Sequence, residues 1–574
     1  MRYPLEEYPL YTVPELRTFQ DILRNGFTAH PDRIALSDLA PTPIQQVTYA
    51  QLFRHVVRFG QALRGMGLKE RDHIALIAEN RVQWAIAYLA ITSFNFVVVP
   101  IDRNLKENEI LTILHASDAR AAVFSESFRE MFDEFSRSVR QLEFLVDMDL
   151  PARRDNMHAM REVIEAQPLP AAGDPFPVLT PEDMAVIVFT SGSMGHAKGV
   201  MLSQKNICAN LRAMLQMVEI VAEDRFLSVL PMHHTYECTC GFLCPLVTGA
   251  STHFARSLKT VAEDMLSVRP TVLLGVPLLF EKMYRRISKA IEEKKIASAI
   301  MKPLQAMITV LEVAGVKGAR KKVFHEVHDR FGGAIRLLIV GGAAPEPSVA
   351  AGFQALGFAF LQGYGLTECS PILALNRERK FKNEAAGLPL PGVAIRIEDP
   401  DEEGRGEIVA KGDSIMLGYY RNEQATKAVL ADGWFNTGDY GFIDADGFLH
   451  INGRKKNVII ARNGKNVFPE ELEEQITRLP FVLECVVHGV KSANGDEYIA
   501  AMIVPDANAV YEHANAQGKE VTSDFVQALL DEEIRKLNRK LPVYKQIRHV
   551  ALRDSEFEKT TTQKIKRYLV EGHA

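Results

Sequence analysis

The stretch that decides the fold reads Val186-Ile-Val-Phe-Thr-Ser-Gly-Ser-Met-Gly-His-Ala-Lys-Gly-Val. Its apolar start has the length of a buried strand, and it leads into a loop that contains Gly192, Gly195, Gly199 and one lysine, Lys198. Glycines let backbone N–H groups turn toward a polyphosphate, hydroxyls add neutral donors, and the lysine adds a point charge. The loop is not a Walker A loop, because Lys198 is followed by glycine rather than by serine or threonine. These residues predict a phosphate-binding loop, with a flexible surface turn as the alternative.

Other apolar runs of strand length recur along the chain. Val272–Leu274, Leu337–Val340 and Phe358–Leu361, like the run before the loop, are each followed by turn residues and a helical pattern. This alternation is typical of parallel α/β layers. The most apolar stretch, residues 85–101, is too short to span a bilayer comfortably, so it predicts a buried helix that runs into a strand.

The pattern changes toward the C-terminus. From about Gly392 to Ile451, short strands follow one another with Gly, Asp and Asn between them, which predicts a small β-barrel-like unit. Beyond it, a helix from Pro469 and further strands predict a compact α+β domain. The predicted fold class is therefore α/β. Residues 1–455 would form a large lobe of two layered α/β subdomains plus the β-barrel, and residues 456–574 a small mobile domain.

The composition is that of an ordinary globular protein. The chain has 574 residues, of which 47% are hydrophobic and 24% charged, and this excludes a disordered, collagenous or integral-membrane chain. Lys and Arg number 67 against 72 Asp and Glu, so the basic excess that nucleic-acid binding requires is missing. The acidic, proline-containing start is unlike a signal peptide, and six cysteines over this length are typical of reduced thiols. We therefore expect a cytoplasmic protein.

Several motifs together resemble the AMP-forming adenylate synthetases, the superfamily of acyl-CoA synthetases, peptide-synthetase adenylation domains and beetle luciferases. Thr190 to Gly199 matches their signature loop, Thr-Ser-Gly-(Ser/Thr)-x-Gly-x-x-Lys-Gly. Later family motifs follow in the family's order: Gly341-Gly-Ala-Ala-Pro, Gln362-Gly-Tyr-Gly-Leu-Thr-Glu, Trp434-Phe-Asn-Thr-Gly-Asp, Gly453-Arg-Lys-Lys-Asn and Lys559-Thr-Thr-Thr-Gln-Lys-Ile-Lys-Arg. The joint match is highly specific, and it implies ATP, magnesium and CoA as cofactors and cosubstrates.

The resemblance also implies a role for each matching residue. Glu368 and Thr190 would hold magnesium, Lys564 would drive adenylation, and Lys456 would be the hinge of the C-terminal domain. Tyr364 would stack on adenine. The residues implied in nucleotide binding are Ser191, Gly192, Ser193, Gly195, Lys198, Gly342, Ala343, Gln362, Tyr364, Thr367, Asp439 and Arg454.

The proposed chemistry explains why these residue types are needed. Joining a carboxylate to the α-phosphate of ATP brings two anions together, so the site must neutralise charge before attack. Hard oxygen ligands such as Glu368 suit magnesium, and Lys564 can bond both the carboxylate and an α-phosphoryl oxygen. Without the resemblance, a solvated lysine in a basic tail is the favoured interpretation of Lys564, whereas Glu368 could equally be a helix-capping carboxylate and Asp439 a turn former.

One segment bears on which acid the protein uses. It reads Leu230-Pro-Met-His-His-Thr-Tyr-Glu-Cys and resembles the family's Pro-x-x-His segment at the acyl pocket. The resemblance places His234 and Tyr236 at that pocket, with His234 also among the catalytic candidates. Gly275 is assigned to the acyl pocket as well, and Gly275-Val-Pro offers no charged side chain for an amino acid's ammonium group, which favours an apolar acyl chain. The nearby histidines and cysteines contain no Cys-x-x-Cys pair, so we do not expect a metal site there. The segment from Gly453 to Glu473 looks most like the long-chain fatty acyl-CoA ligase branch.

The expected activity is therefore a fatty acid–CoA ligase that forms AMP. After adenylation, the C-terminal domain would turn about Lys456, and the loop 461–468 with Gly464 at its tip would admit the CoA thiol. An acyl carrier protein acting in trans is the alternative acceptor. A non-catalytic nucleotide-binding protein is the lesser alternative, because it needs at least one lost core residue.

One segment carries an unusual charge. Residues 281–322 contain eleven Lys or Arg and four acidic residues. Met283, Ile287 and Ile291 recur within it at helical spacing, so the segment could lie on an anionic membrane surface, at the inner face, and collect its fatty acid there. The alternative is a solvated helix face.

Overall fold

The computed structural model describes residues 8–169, 173–190, 197–293, 308, 318–461, 465–491, 497–559 and 565–570. The chain divides into two compact units. The first unit comprises Met1–Ile395 with Ala410–Phe435, and the second comprises Arg396–Val409 with Asn436–Ala574. The expected domain boundary at Lys456 falls inside the second unit and stays a prediction.

Two large sheets organise the first unit. Within the described residues, one sheet has nine strands, in the spatial order Leu388–Pro389, Ile372–Leu375, Ala359–Gly365, Leu337–Val340, Val272–Gly275, Arg225–Ser228, Ser251–Phe254, Ile34–Asp38 and Gln46–Thr48. The other has eight described strands, in the order Gly418–Tyr419, Lys198–Ser203, Met184–Thr190, Val97–Pro100, His73–Ile77, Ala121–Phe124, Phe144–Asp147 and Met157–Ala159. The central strands of both sheets are parallel, which confirms the layered α/β class.

The helices of this unit cover the faces of the two sheets. In chain order, the described α-helices are Phe19–Ala29, Tyr49–Gly65, Val82–Ser93, Glu107–Ala116, Arg129–Ser138, Met160–Ala166, Gln204–Met217, Cys244–Thr248, Val261–Val268, Pro277–Glu293, Ala319–Val323, His325–Arg330, Pro347–Ala355 and Glu423–Val429. Every residue of Val82–Ser93 is buried, because its sequence is apolar on all sides. It runs into the strand Val97–Pro100, as the sequence predicts.

Two of the predicted strand–helix alternations are wrong. Met184–Thr190 is followed by the antiparallel strand Lys198–Ser203, and Ala359–Gly365 is followed by the antiparallel strand Ile372–Leu375. The connections are short, whereas a parallel crossover needs a dozen or more residues. The chain therefore turns back at both places, and each turn carries residues of the candidate site.

The short strands expected after Gly392 form a separate sheet. Among the described residues it contains Val393–Glu398, Gly406–Gly412, Trp434–Ile443 and Leu430–Ala431, with Leu449–Arg454 paired to Trp434–Ile443. Gly392 and Gly447 have positive φ angles, which suit the tight connections between such strands.

The rest of the second unit is α+β, as predicted. Its described strands are Ile459–Ile460, Asn466–Val467, Val482–Lys491, Glu497–Pro505 and Ile547–Leu552, and its described α-helices are Pro469–Thr477, Ala507–Ala516 and Ser523–Asn538. These helices bury Leu472, Ile476 and Leu530 in a core against the sheet.

No helix in the described part of the chain is long and apolar enough to cross a membrane. All six cysteines are buried with free thiols.

Candidate active site

The base of the phosphate loop is a β-hairpin. Thr190 lies opposite Lys198 in the register of the two strands, and the Thr190 hydroxyl lies 3.5 Å from the Lys198 carbonyl oxygen. A Cβ on Gly199 would come within 2.9 Å of the Ile187 Cγ2 atom, so the close packing requires glycine there. The tip of the loop, with Ser191, Gly192, Ser193 and Gly195, lies outside the described residues.

Tyr419 joins two of the implied site residues. The Lys198 ammonium lies 4.9 Å from the centre of the Tyr419 ring, and the Tyr419 hydroxyl donates a 2.9 Å hydrogen bond to Glu368 Oε1. Sequence reasoning missed Tyr419, because a tyrosine after a glycine resembles any surface turn. The strand Gly418–Tyr419 brings it there by pairing with Met201 and Val200.

Glu368 has the chemistry of a magnesium ligand. Its side chain is half-buried in the 3₁₀ turn Thr367–Cys369, and the Met416 amide donates to its carbonyl oxygen at 2.8 Å. A carboxylate has about four lone-pair positions, so the bond from Tyr419 leaves acceptor capacity for a cation. The donors present thus fit magnesium, which Glu368 and the Thr190 hydroxyl would hold and which would neutralise phosphate charge.

The carboxyl edge of the nine-stranded sheet supplies the other implied residues of the first unit. Gly341 follows the strand Leu337–Val340, and its amide donates to the Gly275 carbonyl oxygen at 3.2 Å. Gly342 has a φ of +87°, and both Gly342 and Ala343 are exposed. Ligands of open α/β sheets bind at this edge.

Gln362 and Tyr364 lie on the neighbouring strand. The Gln362 side-chain amide donates to the backbone carbonyl oxygens of Asn383, at 3.1 Å, and of Ala385. Gln362 therefore holds the following loop beside the strand. Tyr364 is half-buried, as is Thr367 in the next turn. Nucleotide contacts by these three residues stay predictions.

The Pro-x-x-His segment runs into a π-helix, Tyr236–Leu243. The Tyr236 hydroxyl donates to the Ile339 carbonyl oxygen at 3.2 Å, and a Cβ on Gly341 would lie 2.7 Å from the Tyr236 ring. The rings of His233 and His234 lie 4.1 Å apart. Burial holds the pKa of His233 well below its usual value, so His233 is neutral.

An apolar cavity lies beside Tyr236. Its lining is almost entirely apolar and consists of Met214, Leu215, Val218, Ile220, Phe226, Tyr236, Cys240, Cys244, Ile339, Val340, Gly363, Ile372 and Leu375. Val340 ends one parallel strand and Phe226 lies at the start of another, so the cavity extends from the carboxyl edge toward the amino edge of the sheet. Gly275 is not among these lining residues. A Cβ there would meet the Phe280 ring at 2.8 Å, so glycine permits the close packing at this position, and a pocket role for Gly275 stays a prediction.

Glu237 is a second feature that sequence reasoning missed. It is 1% exposed, and neither carboxyl oxygen forms a hydrogen bond of normal geometry with a described residue. Burial raises the pKa of Glu237 to about 8, against a smaller lowering by the Ser228 hydroxyl. The carboxyl group is therefore neutral at pH 7, next to the tyrosine that lines the cavity.

The implied ribose-binding pair lies in the second unit. Asp439 and Arg454 are opposite each other on paired strands, and Arg454 Nε lies 2.8 Å from Asp439 Oδ1. Asp439 is 4% exposed, whereas Arg454 is about 41% exposed at its side chain. Lys455 forms a 2.6 Å ion pair with Glu407, next to the expected hinge, Lys456. Lys564 and Gly464 lie outside the described residues.

Sequence models of two protein families match most of the chain and agree with the motifs. The sequence model of the AMP-binding enzymes matches residues 23–420, and that of the AMP-binding enzyme C-terminal domain matches residues 471–564. The chain belongs to the AMP-binding enzyme family. It is therefore a member of the adenylate-forming superfamily, as the motifs predict.

Curated members of this family resemble the chain over nearly its whole length. A long-chain-fatty-acid–CoA ligase, FadD15, of Mycobacterium bovis is 28% identical, and the match covers 94% of this chain and 93% of that protein. A chloroplastic long-chain-fatty-acid–[acyl-carrier-protein] ligase, AEE15, of Arabidopsis thaliana is 27% identical over 91% of this chain and 80% of that protein.

Solved structures of the family share the fold. The anthranilate CoA ligase AuaEII, in complex with anthranoyl-AMP, superposes with a TM-score of 0.76 at 21% identity, and covers 100% of this chain and 99% of its own. ATP-bound MatB of Rhodopseudomonas palustris gives 0.75 at 23% identity, over 97% and 98% of the two chains.

Proposed function

We propose that this AMP-binding enzyme activates a fatty acid with ATP and transfers the acyl group to the thiol of CoA. In the first step a carboxylate oxygen bonds to the α-phosphorus, the bond from that phosphorus to the bridging oxygen breaks, and pyrophosphate leaves. In the second step the CoA sulfur bonds to the acyl carbon, AMP leaves, and the thiol proton passes to solvent. The products are acyl-CoA and AMP.

The observation that carries the proposal is the apolar cavity beside Tyr236. Tyr236 lines the cavity and its ring lies against Gly341, at the sheet edge where a nucleotide is expected, so an acid whose carboxylate reaches the α-phosphate would extend its tail into the cavity. An apolar lining gives no partner to a charged or strongly polar tail, whose burial would be costly. The long-chain ligases among the relatives support the same substrate class.

The residues of the site divide the work between charge and orientation. Lys198 adds positive charge beside the phosphate loop, and Glu368 with Thr190 would hold magnesium on the phosphates. Asp439 and Arg454 would bind the ribose hydroxyls, and Lys564 would bond the attacking and α-phosphoryl oxygens. Stabilising charge that develops during attack is the largest contribution expected of such a site.

The experiment is a comparison of acids and acceptors. Purified protein is incubated with ATP, magnesium and decanoate, palmitate, benzoate or malonate, and pyrophosphate release is measured with and without CoA. We expect release with the fatty acids and acyl-CoA in the product. Release with benzoate or malonate but not with the fatty acids would contradict the proposal.

An acyl carrier protein is the second candidate acceptor, and the plant carrier-protein ligase among the relatives favours it. Both acceptors present a phosphopantetheine thiol, so the adenylation site is the same for either. Adding a pantetheinylated carrier protein in place of CoA separates the two. Faster acyl transfer to the carrier than to CoA would assign the carrier as the acceptor.

Contact with an anionic membrane is a further part of the proposal. On the helix Pro277–Glu293, Ile287 is buried, and Met283 and Ile291 pack against the same core. The apolar face is therefore used inside the protein, and contact would be made by the exposed cations. Among the residues of this segment that the structure describes, these are Lys282, Arg285, Arg286, Lys289, Lys321 and Lys322. Sedimentation with phosphatidylserine vesicles at low salt, lost at high salt, is expected; failure to sediment at low salt would contradict it.

A further inference from the structure

One buried arginine, Arg377, holds the N-terminal segment, residues 8–13, against the rest of the first unit. Arg377 is 3% exposed, and its Nη1 and Nη2 atoms donate to the carbonyl oxygens of Tyr8, at 2.6 Å, and Pro9, at 2.7 Å. Its guanidinium carbon lies 3.6 Å from the centre of the Tyr8 ring and 5.8 Å from that of the Tyr11 ring. The two tyrosine hydroxyls lie 3.0 Å apart. We call Tyr8, Tyr11 and Arg377 the clamp.

The clamp holds the end of the helix Gln204–Met217. Arg377 Nε donates to the Met217 carbonyl oxygen at 3.0 Å, and the Tyr11 amide donates to the Gln216 carbonyl oxygen at 3.0 Å. Carbonyl groups in the last turn of a helix have no partner within the helix, so these two bonds fix the end of the helix from outside.

That helix end leads into the wall of the apolar cavity. Val218 follows Met217 directly, and Val218 and Ile220 both line the cavity. Arg336 binds the same connection from another side, because its Nη2 atom donates to the Glu219 carbonyl oxygen at 2.7 Å. The chain next enters the sheet at Arg225, so this wall lies at the amino edge, at the opposite end of the cavity from Val340.

We propose that the clamp sets the longest acyl chain that the cavity accepts, by holding Val218 and Ile220 against the far end of the cavity. The inference rests on the proposed function, because it requires the acyl tail to enter at Tyr236 and to end near Phe226. A fixed wall excludes methylene groups beyond the end of the cavity. A wall freed from the clamp moves outward and buries them.

The test compares chain-length profiles. The protein, the double variant Tyr8→Ala/Tyr11→Ala and Arg377→Lys are assayed for pyrophosphate release with saturated acids from decanoate to behenate. We expect the optimum of kcat/KM to move to longer acids in both, with a gain of about fourfold for each methylene newly buried. Decanoate, which does not reach the far wall, is expected to be used as before.

Two controls separate a length limit from a loss of structure. Tyr8→Phe keeps the ring on Arg377 and is expected to keep the original profile, and Tyr511→Ala changes a tyrosine of the second unit that is 64% exposed. The length limit is overturned if kcat/KM falls uniformly with all acids, or if the optimum does not move while decanoate activity stays intact. Neither result contradicts the proposed function. If the unmodified protein uses none of the acids, the proposed function fails and this inference fails with it.

Discussion

Tyr419 is not expected to react, but it positions two residues of the candidate site. Its ring lies under the Lys198 ammonium and its hydroxyl donates to Glu368, so it fixes a cation and an anion at once. A hydrogen bond to a carboxylate aligns the oxygens that remain for a metal ion. Partners of this kind typically change metal affinity by about tenfold or more when they are removed.

We therefore predict that Tyr419→Phe raises the magnesium concentration needed for half-maximal adenylation by about tenfold. The ring stays, so Lys198 keeps its contact. Pyrophosphate release measured across a magnesium titration checks this. Tyr420→Phe is the matched control, because the Tyr420 hydroxyl bonds Asp118 instead. Equal magnesium requirements in both variants and the parent protein would contradict the prediction.

Tyr236 separates recognition of the acid from binding of ATP. It lines the cavity and its ring covers Gly341, so Tyr236→Ala removes a wall contact of the acyl chain. We predict about a tenfold higher KM for the fatty acid with the KM for ATP nearly unchanged, since a wall contact binds ground state and transition state alike. Tyr236→Phe keeps the ring and should behave like the parent. Unchanged acid kinetics in the alanine variant would remove Tyr236 from the pocket.

At the scale of elements, the sequence predicts the strands better than their connections. The strand Leu337–Val340 and the buried helix before Val97 follow from runs of apolar residues alone. The sequence does not predict the antiparallel strands Lys198–Ser203 and Ile372–Leu375. A short turn and the beginning of a helix look alike in sequence where glycine and threonine are frequent. The motif order located the candidate residues, but Tyr419 reaches Glu368 only through strand pairing, which no local pattern contains.

The π-helix contains a buried acid, Glu237, which should make the stability of the fold depend on pH. Burial raises the pKa of Glu237 to about 8. Because the folded pKa lies above the unfolded one, the folded protein binds the extra proton between about pH 4.5 and 8, and stability falls as pH rises through this window. We predict that Glu237→Gln, which cannot ionise, loses less stability than the parent between pH 5 and pH 8, by about 3 kcal/mol.

Denaturant unfolding of both proteins at the two pH values measures this difference. His253→Gln is a comparison of opposite sign: burial lowers the pKa of His253 to about 4, so near pH 5 only the unfolded protein binds its proton, and the substitution removes a gain in stability as pH rises through about 6.5. Parallel pH dependence in the Glu237→Gln variant and the parent would show that Glu237 is ionised when folded or does not contribute.

At the scale of the whole molecule, the candidate residues are shared between the two units. Lys198, Tyr236 and Glu368 belong to the first, and Asp439 and Arg454 to the second. The sequence identified both sets because the family motifs span the chain. The shape of the cavity, in contrast, depends on residues from four strands and three helices that are distant in sequence, so no motif predicts its length.

The resemblance assigns the two half-reactions to different residues. Lys564→Ala should slow adenylation about a hundredfold, because it removes a charge directed at developing negative charge. Supplied with ready-made acyl adenylate, the same variant should still form acyl-CoA. Gly464→Leu should form adenylate and pyrophosphate but transfer the acyl group slowly, since a side chain at a close-approach glycine obstructs the acceptor. Lys566→Ala and Gly464→Ala are the milder controls. Single-turnover assays measure each step separately, and equal loss in both steps for both variants would show that one set of residues serves the whole reaction.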